Sequence, residues 1–205
     1  MSGRNVAATD TSGLARFASE PALAEDTLAT AAKLAVRVAG ALTLAVMIVA
    51  LVTRLAFAIE ARQWLAYPFP GVPAKAGIAA AIFTHNLRAL LTVGGALLIL
   101  QIQHWARTAP EAIYRWMRLA VGALLGAAVL ANVVLVGVSF GAYGARMVSA
   151  ALPHGPVELA SYSLALALYL QGRSRRLAPR HVLKVGALSV ALLAIAAALE
   201  TFLSV

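Results

Sequence analysis

Two polar segments interrupt long apolar stretches of this 205-residue chain, and both contain side chains that can bind or transfer protons. The first segment includes His85, Asn86 and Arg88, and the second places His154 four residues before Glu158. Residues four apart lie on one face of a helix, so His154 and Glu158 are expected to be neighbours. Imidazole and carboxylate groups exchange protons and ligate metal ions, and carboxylates also pair with arginine. These segments are therefore the candidate functional residues.

The composition indicates which elements carry these residues. Hydrophobic residues make up 61% of the chain and charged residues only 12%, whereas soluble domains carry about 25% charged residues. A helix needs about 20 apolar residues to cross a bilayer. The stretches that meet or approach this length are 36–59, 77–102, 119–140, 153–170 and 182–205. The sequence predicts an all-α polytopic transmembrane helix bundle of about five spans at 34–205, after a polar cytoplasmic segment at 1–33.

The basic residues predict how these spans are oriented. Cytoplasmic loops of membrane proteins are enriched in Lys and Arg. With the N-terminus inside, 12 of the Lys and Arg residues lie on the cytoplasmic side and 4 on the opposite side. The N-terminus is therefore predicted to be cytoplasmic and the C-terminus outside. This distribution also accounts for the formal charge of +9, so we expect a lipid bilayer as the partner and no nucleic acid.

Membrane depth links the two polar segments. Arg88 lies within the second predicted span, where an unpaired arginine is unfavourable by about 2.5–3.5 kcal/mol. Glu158 is expected at a similar depth in the fourth span, which starts from the same face of the membrane. We therefore predict an Arg88–Glu158 ion pair inside an intramembrane polar cluster. The predicted cluster consists of His85, Asn86, Arg88, Asn132, His154, Glu158 and Glu200.

Three interpretations suit this cluster: a structural tie between helices, a translocation or proton path open to the outer face, and a metal or catalytic centre. The spacing of His154 and Glu158 is not a metal motif by itself, and HExxH is absent. The phosphate-binding patterns GxxxxGK[ST] and GxGxxG are also absent. The chain has no cysteine and thus no thiol nucleophile. We predict no catalytic residue, no metal and no cofactor.

Two glycine pairs with a spacing of four occur in and beyond the third span: Gly122 with Gly126, and Gly137 with Gly141. Such pairs lie on one helix face and let another helix approach closely. The partner helix belongs either to the same chain or to a second copy in a homo-oligomer. Packing within the chain is favoured, because a bundle of five helices needs internal contacts of this kind.

The segment Leu152-Pro-His-Gly-Pro-Val-Glu-Leu-Ala160 resembles the PHG-x-x-E-L-x-A signature of the stage II sporulation protein M family of bacterial membrane proteins. Upstream, Phe83-Thr-His-Asn-Leu-Arg-Ala-Leu90 and the glycines that follow are similar to another family segment, and so is the end of the chain around Glu200. The resemblance covers about residues 78–205. The family usually has Asn-Gly in its third span, whereas Val133 follows Asn132 here.

The resemblance implies a permease-like or scaffold subunit of a complex in the bacterial cytoplasmic (inner) membrane, without enzymatic activity of its own. Such complexes serve cell-envelope remodelling, export, or the maturation of and immunity to circular bacteriocins, and the implied partner proteins are an ATPase or a cell-wall hydrolase. Two alternatives are a small stand-alone transporter and an intramembrane enzyme acting on a peptide or lipid. In the transporter, His85, Arg88, His154 and Glu158 would bind an anionic or protonated solute.

Overall fold

The computed structural model describes residues 28–66, 74–106 and 111–203, and this part of the chain forms seven α-helices and no strand. The helices are α1 (Leu28–Ala56), α2 (Ala58–Leu65), α3 (Ala76–Ala106), α4 (Glu111–Tyr143), α5 (Ala145–Ala151), α6 (Gly155–Ser174) and α7 (Pro179–Leu203). The all-helical prediction is confirmed for these residues. Most of the polar segment predicted at 1–33 lies outside them, and its last residues, 28–33, belong to α1.

Four of these helices, α1, α3, α4 and α7, are long and apolar enough to cross a membrane, as in a multi-pass membrane protein. Helix α6 covers most of the fourth predicted span and has 20 residues, about 30 Å of helix. It is more polar than the other four because it carries glutamate, serine, tyrosine and glutamine side chains. Its assignment as a fifth span therefore stays a prediction.

Helices α1 and α4 run side by side in the same direction. A Cβ atom added to Gly137 would lie 2.6 Å from Cβ of Val49, and one added to Gly141 would lie 2.6 Å from Cβ of Thr53. The residue numbers increase together along both helices, so the two helices are parallel. Gly137 and Gly141 therefore pack helices within one chain.

The direction of the remaining long helices follows from polar contacts. Asn86 and Gln101 of α3 bond to α6 residues that lie 72 and 71 positions later, so α3 and α6 are parallel and in step. Helix α7 returns antiparallel to α6, because Gln171 near the end of α6 contacts His181 near the start of α7. We call the end of the bundle where α3 and α6 begin the far end, and the opposite end the near end.

The buried apolar core lies toward the near end. Ala31 and Ala35 at the start of α1 belong to one buried cluster with Leu168, Leu177 and Val185 from the region where α6 ends and α7 begins. Helices α1 and α7 therefore both start at the near end, and Leu28 and Leu203 lie at opposite ends of the bundle. The core is completed by α3 and α4 side chains, among them Val93, Leu97, Leu100 and Leu125.

Candidate functional site

The polar residues at the far end are positioned by the chain reversal that precedes α6. Helix α4 ends at Tyr143. Gly144 follows with a φ of +56°, which is strained for residues with a side chain, and α5 leads from there toward Pro153. His154 is the N-cap of α6, and its carbonyl accepts hydrogen bonds from the backbone N–H groups of Val157 and Glu158. Glu158 thus lies in the first turn of α6, where the helix dipole favours a negative charge.

Two hydrogen bonds join α3 to α6 at this end. The Asn86 side-chain amide donates to Oε1 of Glu158 at 2.9 Å, and the Tyr162 hydroxyl donates to the backbone carbonyl of Asn86 at 3.1 Å. Glu158 and Tyr162 are four residues apart on one face of α6, and both bond to the same turn of α3. Asn86 is thereby engaged through its side chain and its backbone.

Helix α7 joins the same group through its last turn. His154 Nε2 lies 4.0 Å from a carboxylate oxygen of Glu200, with side-chain exposures of 15% and 27%. His154 Nδ1 is buried and has no hydrogen-bond partner among the described residues. Asn86, His154, Glu158, Tyr162 and Glu200 form the far-end cluster.

The far-end cluster is acidic in composition. It contains two carboxyl groups and one imidazole, without lysine or arginine. Such a group attracts protons or small cations and repels anions. It contains no nucleophile with an adjacent base, and the described part of the chain has no group of three or more His, Cys, Asp or Glu residues arranged to hold a metal ion.

The predicted Arg88–Glu158 pair is wrong. Arg88 is exposed and forms no ion pair among the described residues, whereas Glu158 is bonded to Asn86. The reason is rotation: residues two apart are separated by about 200° around a helix, so Asn86 and Arg88 point to opposite sides of α3. His85 is also exposed, on the Arg88 side.

Asn132 is a second residue that the structure places away from the cluster. It lies in the middle of α4, exposed, and its amide donates to the carbonyl of Ala128 one turn earlier at 2.9 Å. Of the seven residues predicted to form the cluster, the structure therefore brings together Asn86, His154, Glu158 and Glu200, and excludes His85, Arg88 and Asn132.

The glycine pairs also differ from one another. Gly137 and Gly141 contact α1, whereas a Cβ on Gly122 would meet only the Tyr169 hydroxyl, at 3.4 Å, and one on Gly126 would meet nothing within 4 Å. The face of α4 that carries Gly122 and Gly126 is therefore partly uncovered by the rest of the described chain.

A second polar group, at the near end, was missed by sequence reasoning. Gln101 is 1% exposed; its amide donates to the carbonyls of Gly172 at 2.8 Å and Arg175 at 3.1 Å, and its oxygen accepts the backbone N–H of Leu177 at 2.8 Å. One side chain thus satisfies three backbone groups of the α6–α7 turn. The available signal was a glutamine near the end of an apolar span, where an unsatisfied amide would be unfavourable.

One face of α3, here called its inner face, connects these two polar groups. Asn86 and Gln101 lie at its ends, and apolar side chains at helical spacing lie between them. These are Leu90, Val93, Leu97 and Leu100, all buried. On α6 the matching stretch contributes buried Leu164, Ala167 and Leu168. On α3, this apolar layer separates the far-end cluster from the polar group at the near end, whereas α6 and α7 carry the buried residues Ser161, Ser163 and Ser189 between the two groups.

Comparisons with known proteins give no assignment for this site. No family model, curated protein or solved structure matches the chain.

Proposed function

We propose that the chain is a non-enzymatic, permease-like or scaffold subunit of a multi-protein complex in a bacterial cytoplasmic membrane, with α6 as a fifth span. The resemblance to the stage II sporulation protein M family, located in the segment that forms the start of α6, supports this class. In the proposed orientation, the near end of the bundle faces the cytoplasm. The basic residues of the α6–α7 turn and of the starts of α1 and α4 lie at that end, which agrees with the positive-inside rule.

One observation carries the proposal: the Asn86–Glu158 hydrogen bond, with Tyr162 bonded back to Asn86. Asn86, Glu158 and Tyr162 join α3 to α6, and His154 lies beside Glu200 of α7. Below this cluster, the inner face of α3 is apolar as far as Gln101. An arrangement of this kind fixes the packing of helices, which is what a scaffold requires.

The size of the assembly in native membranes tests this proposal. We expect the wild-type chain, expressed at its natural level and extracted in mild detergent, to migrate on native gels with a larger mass than the purified chain in the same detergent. The purified chain is the reference because it includes any homo-oligomer. Equal migration of the two samples would contradict the subunit assignment.

A stand-alone transporter is the second candidate, and one observation favours it. The far-end cluster combines two carboxylates with a histidine whose Nδ1 has no partner among the described residues. Because Arg88 lies outside the cluster, the solute would be a proton or a small cation rather than the anion that the sequence allowed.

Proton flux in vesicles separates the two candidates. Under the subunit proposal, vesicles that contain the purified wild-type chain relax an imposed pH gradient no faster than empty vesicles, and Glu158→Gln behaves the same. Glutamine retains an oxygen that accepts the Asn86 hydrogen bond but cannot carry a charge. Flux through the wild type that falls at least about tenfold in Glu158→Gln would favour the transporter.

A further inference from the structure

The face of α3 opposite to its inner face is uncovered. Its residues follow one another at intervals of three, one, three, one and three positions, so they form a single stripe, and all of them are exposed. They line one open depression of about 480 Å³ on the surface of α3. This stripe, the Arg88 face, consists of Gly77, Ala80, Ala81, Thr84, His85 and Arg88.

Arg88 lies well inside the span. It is twelve residues after the first residue of α3, about 18 Å along the helix axis. The hydroxyls of Thr84 and Thr92, one turn before and one turn after it, bond to carbonyls of α3 itself. Arg88 therefore carries a charge in the membrane region without a counter-ion from its own helix.

The rest of the described chain supplies no counter-ion either. Glu158 is bonded to Asn86, and Glu200 lies beside His154. Glu60 is on α2, which packs against α4, and Glu111 begins α4 at the near end of the bundle. A carboxylate from another molecule would neutralise the guanidinium, and such charge-assisted pairs are strong when they are shielded from water.

The shape of the Arg88 face fits a helix. Gly77, Ala80 and Ala81 have little or no side chain, so a neighbouring helix can approach closely and gain van der Waals contacts. Further along the same side, a Cβ on Gly95 would meet nothing within 4 Å. A two-fold dimer through this face would bring the same patch of both copies together, with Arg88 facing a cation of equal charge.

We propose that the Arg88 face is the docking surface for a transmembrane helix of a partner protein, and that this helix presents an aspartate or glutamate to the Arg88 guanidinium. This inference rests on the proposed subunit function and names the chemistry of the partner. The neutralised pair would sit between two helices, on the side of α3 that the bundle leaves open.

Model helices test the proposal directly. The probes are Leu/Ala transmembrane peptides with one Glu, or one Gln, in the half of the helix that matches Arg88. Association is measured by energy transfer in phosphatidylcholine vesicles, with the dye on a single cysteine introduced as Ser149→Cys, since the chain has no cysteine of its own. We expect the Glu probe to bind the full chain about tenfold more tightly than the Gln probe.

Variants locate the binding surface. Arg88→Leu should abolish the preference for the Glu probe, and Arg88→Lys should retain much of it. Ala81→Phe leaves the charge in place but fills the face, so it should weaken both probes. Lys75→Leu, which removes a cation just before α3, is the matched control and should bind like the wild type.

Three results would overturn the proposal. They are equal binding of the Glu and Gln probes, self-association of the chain that Ala81→Phe abolishes, and a role of Arg88 that appears only as a preference for vesicles containing anionic phosphatidylglycerol. Failure of the subunit function itself looks different, because the wild-type chain would then lack a larger assembly in native membranes whatever the probes do.

Discussion

Replacing Gly141 with alanine is expected to lower the free energy of unfolding by about 2 kcal/mol. A Cβ at this position would lie 2.5 Å from the Ala50 carbonyl oxygen and 2.6 Å from Cβ of Thr53, both on α1. The clash involves backbone, so the two helices must separate, and contacts along their whole interface weaken. Unfolding in mixed micelles, titrated with SDS and followed by circular dichroism, measures the change.

Gly126 provides the matched control for this prediction. It lies on the same helix, and a Cβ there would meet nothing within 4 Å. Because alanine is favoured over glycine by about 0.5–1 kcal/mol inside a helix, Gly126→Ala should leave stability unchanged or raise it. Similar losses for both variants would mean that α4 does not contact α1 through Gly141.

Replacing Gln101 with leucine is the second large effect and should lower the free energy of unfolding by about 3 kcal/mol. Leucine has nearly the same volume, so packing is kept, but the Leu177 N–H and the Gly172 carbonyl lose their buried partner. The α6–α7 turn should loosen as a consequence. The same SDS titration measures the stability, and hydrogen exchange at residues 172–178 measures the local opening.

Gln63→Leu is the control for the loss of an amide. Gln63 is exposed on α2, and surface substitutions of this kind stay within about 0.5 kcal/mol. If Gln101→Leu were as stable as Gln63→Leu, the near-end polar group would not hold the α6–α7 turn in place.

The sequence was sufficient to predict the long helices, because apolar runs of bilayer length require backbone groups to be satisfied within each helix, but it did not predict the short helices α2 and α5. It also indicated the depth of Asn86 and Glu158, since depth follows from counting residues along a span. The hydropathy of α6 was less decisive. Glu158 and Tyr162 bond to α3, and Ser161 bonds to the Ser189 carbonyl of α7. Burial of that kind does not show in an average over residues.

The depth of a residue in the membrane does not determine the direction in which it points around the helix axis. Arg88 and Asn86 are at nearly the same depth, yet one is exposed and the other bonds to Glu158. The sequence nevertheless contained a signal for which side of α3 faces the bundle. Leu90, Val93 and Leu97 follow Asn86 at helical spacing, whereas glycine, alanine and threonine accompany Arg88, so the larger apolar face marks the side that packs inward.

The contacts of Tyr162 and Glu200 illustrate what could not be predicted about the candidate site from the sequence. Tyr162 follows Glu158 by four residues, so it was available as a neighbour, but its bond goes to a backbone carbonyl of another helix. The contact between Glu200 and His154 depends on where α7 ends relative to the start of α6, which the length of the α6–α7 turn and the packing of both helices determine together.

The most direct test of the account is a double-mutant cycle on Asn86 and Glu158. The free energy of unfolding is measured for the wild type, Asn86→Ala, Glu158→Ala and the double variant in the same micelles. We expect a coupling energy of about 1 kcal/mol, with the double variant less destabilised than the sum of the single ones, because each substitution removes the same hydrogen bond. Additive effects would show that the two side chains do not tie α3 to α6, and the far-end cluster would then not be the structural joint on which the proposed scaffold function depends.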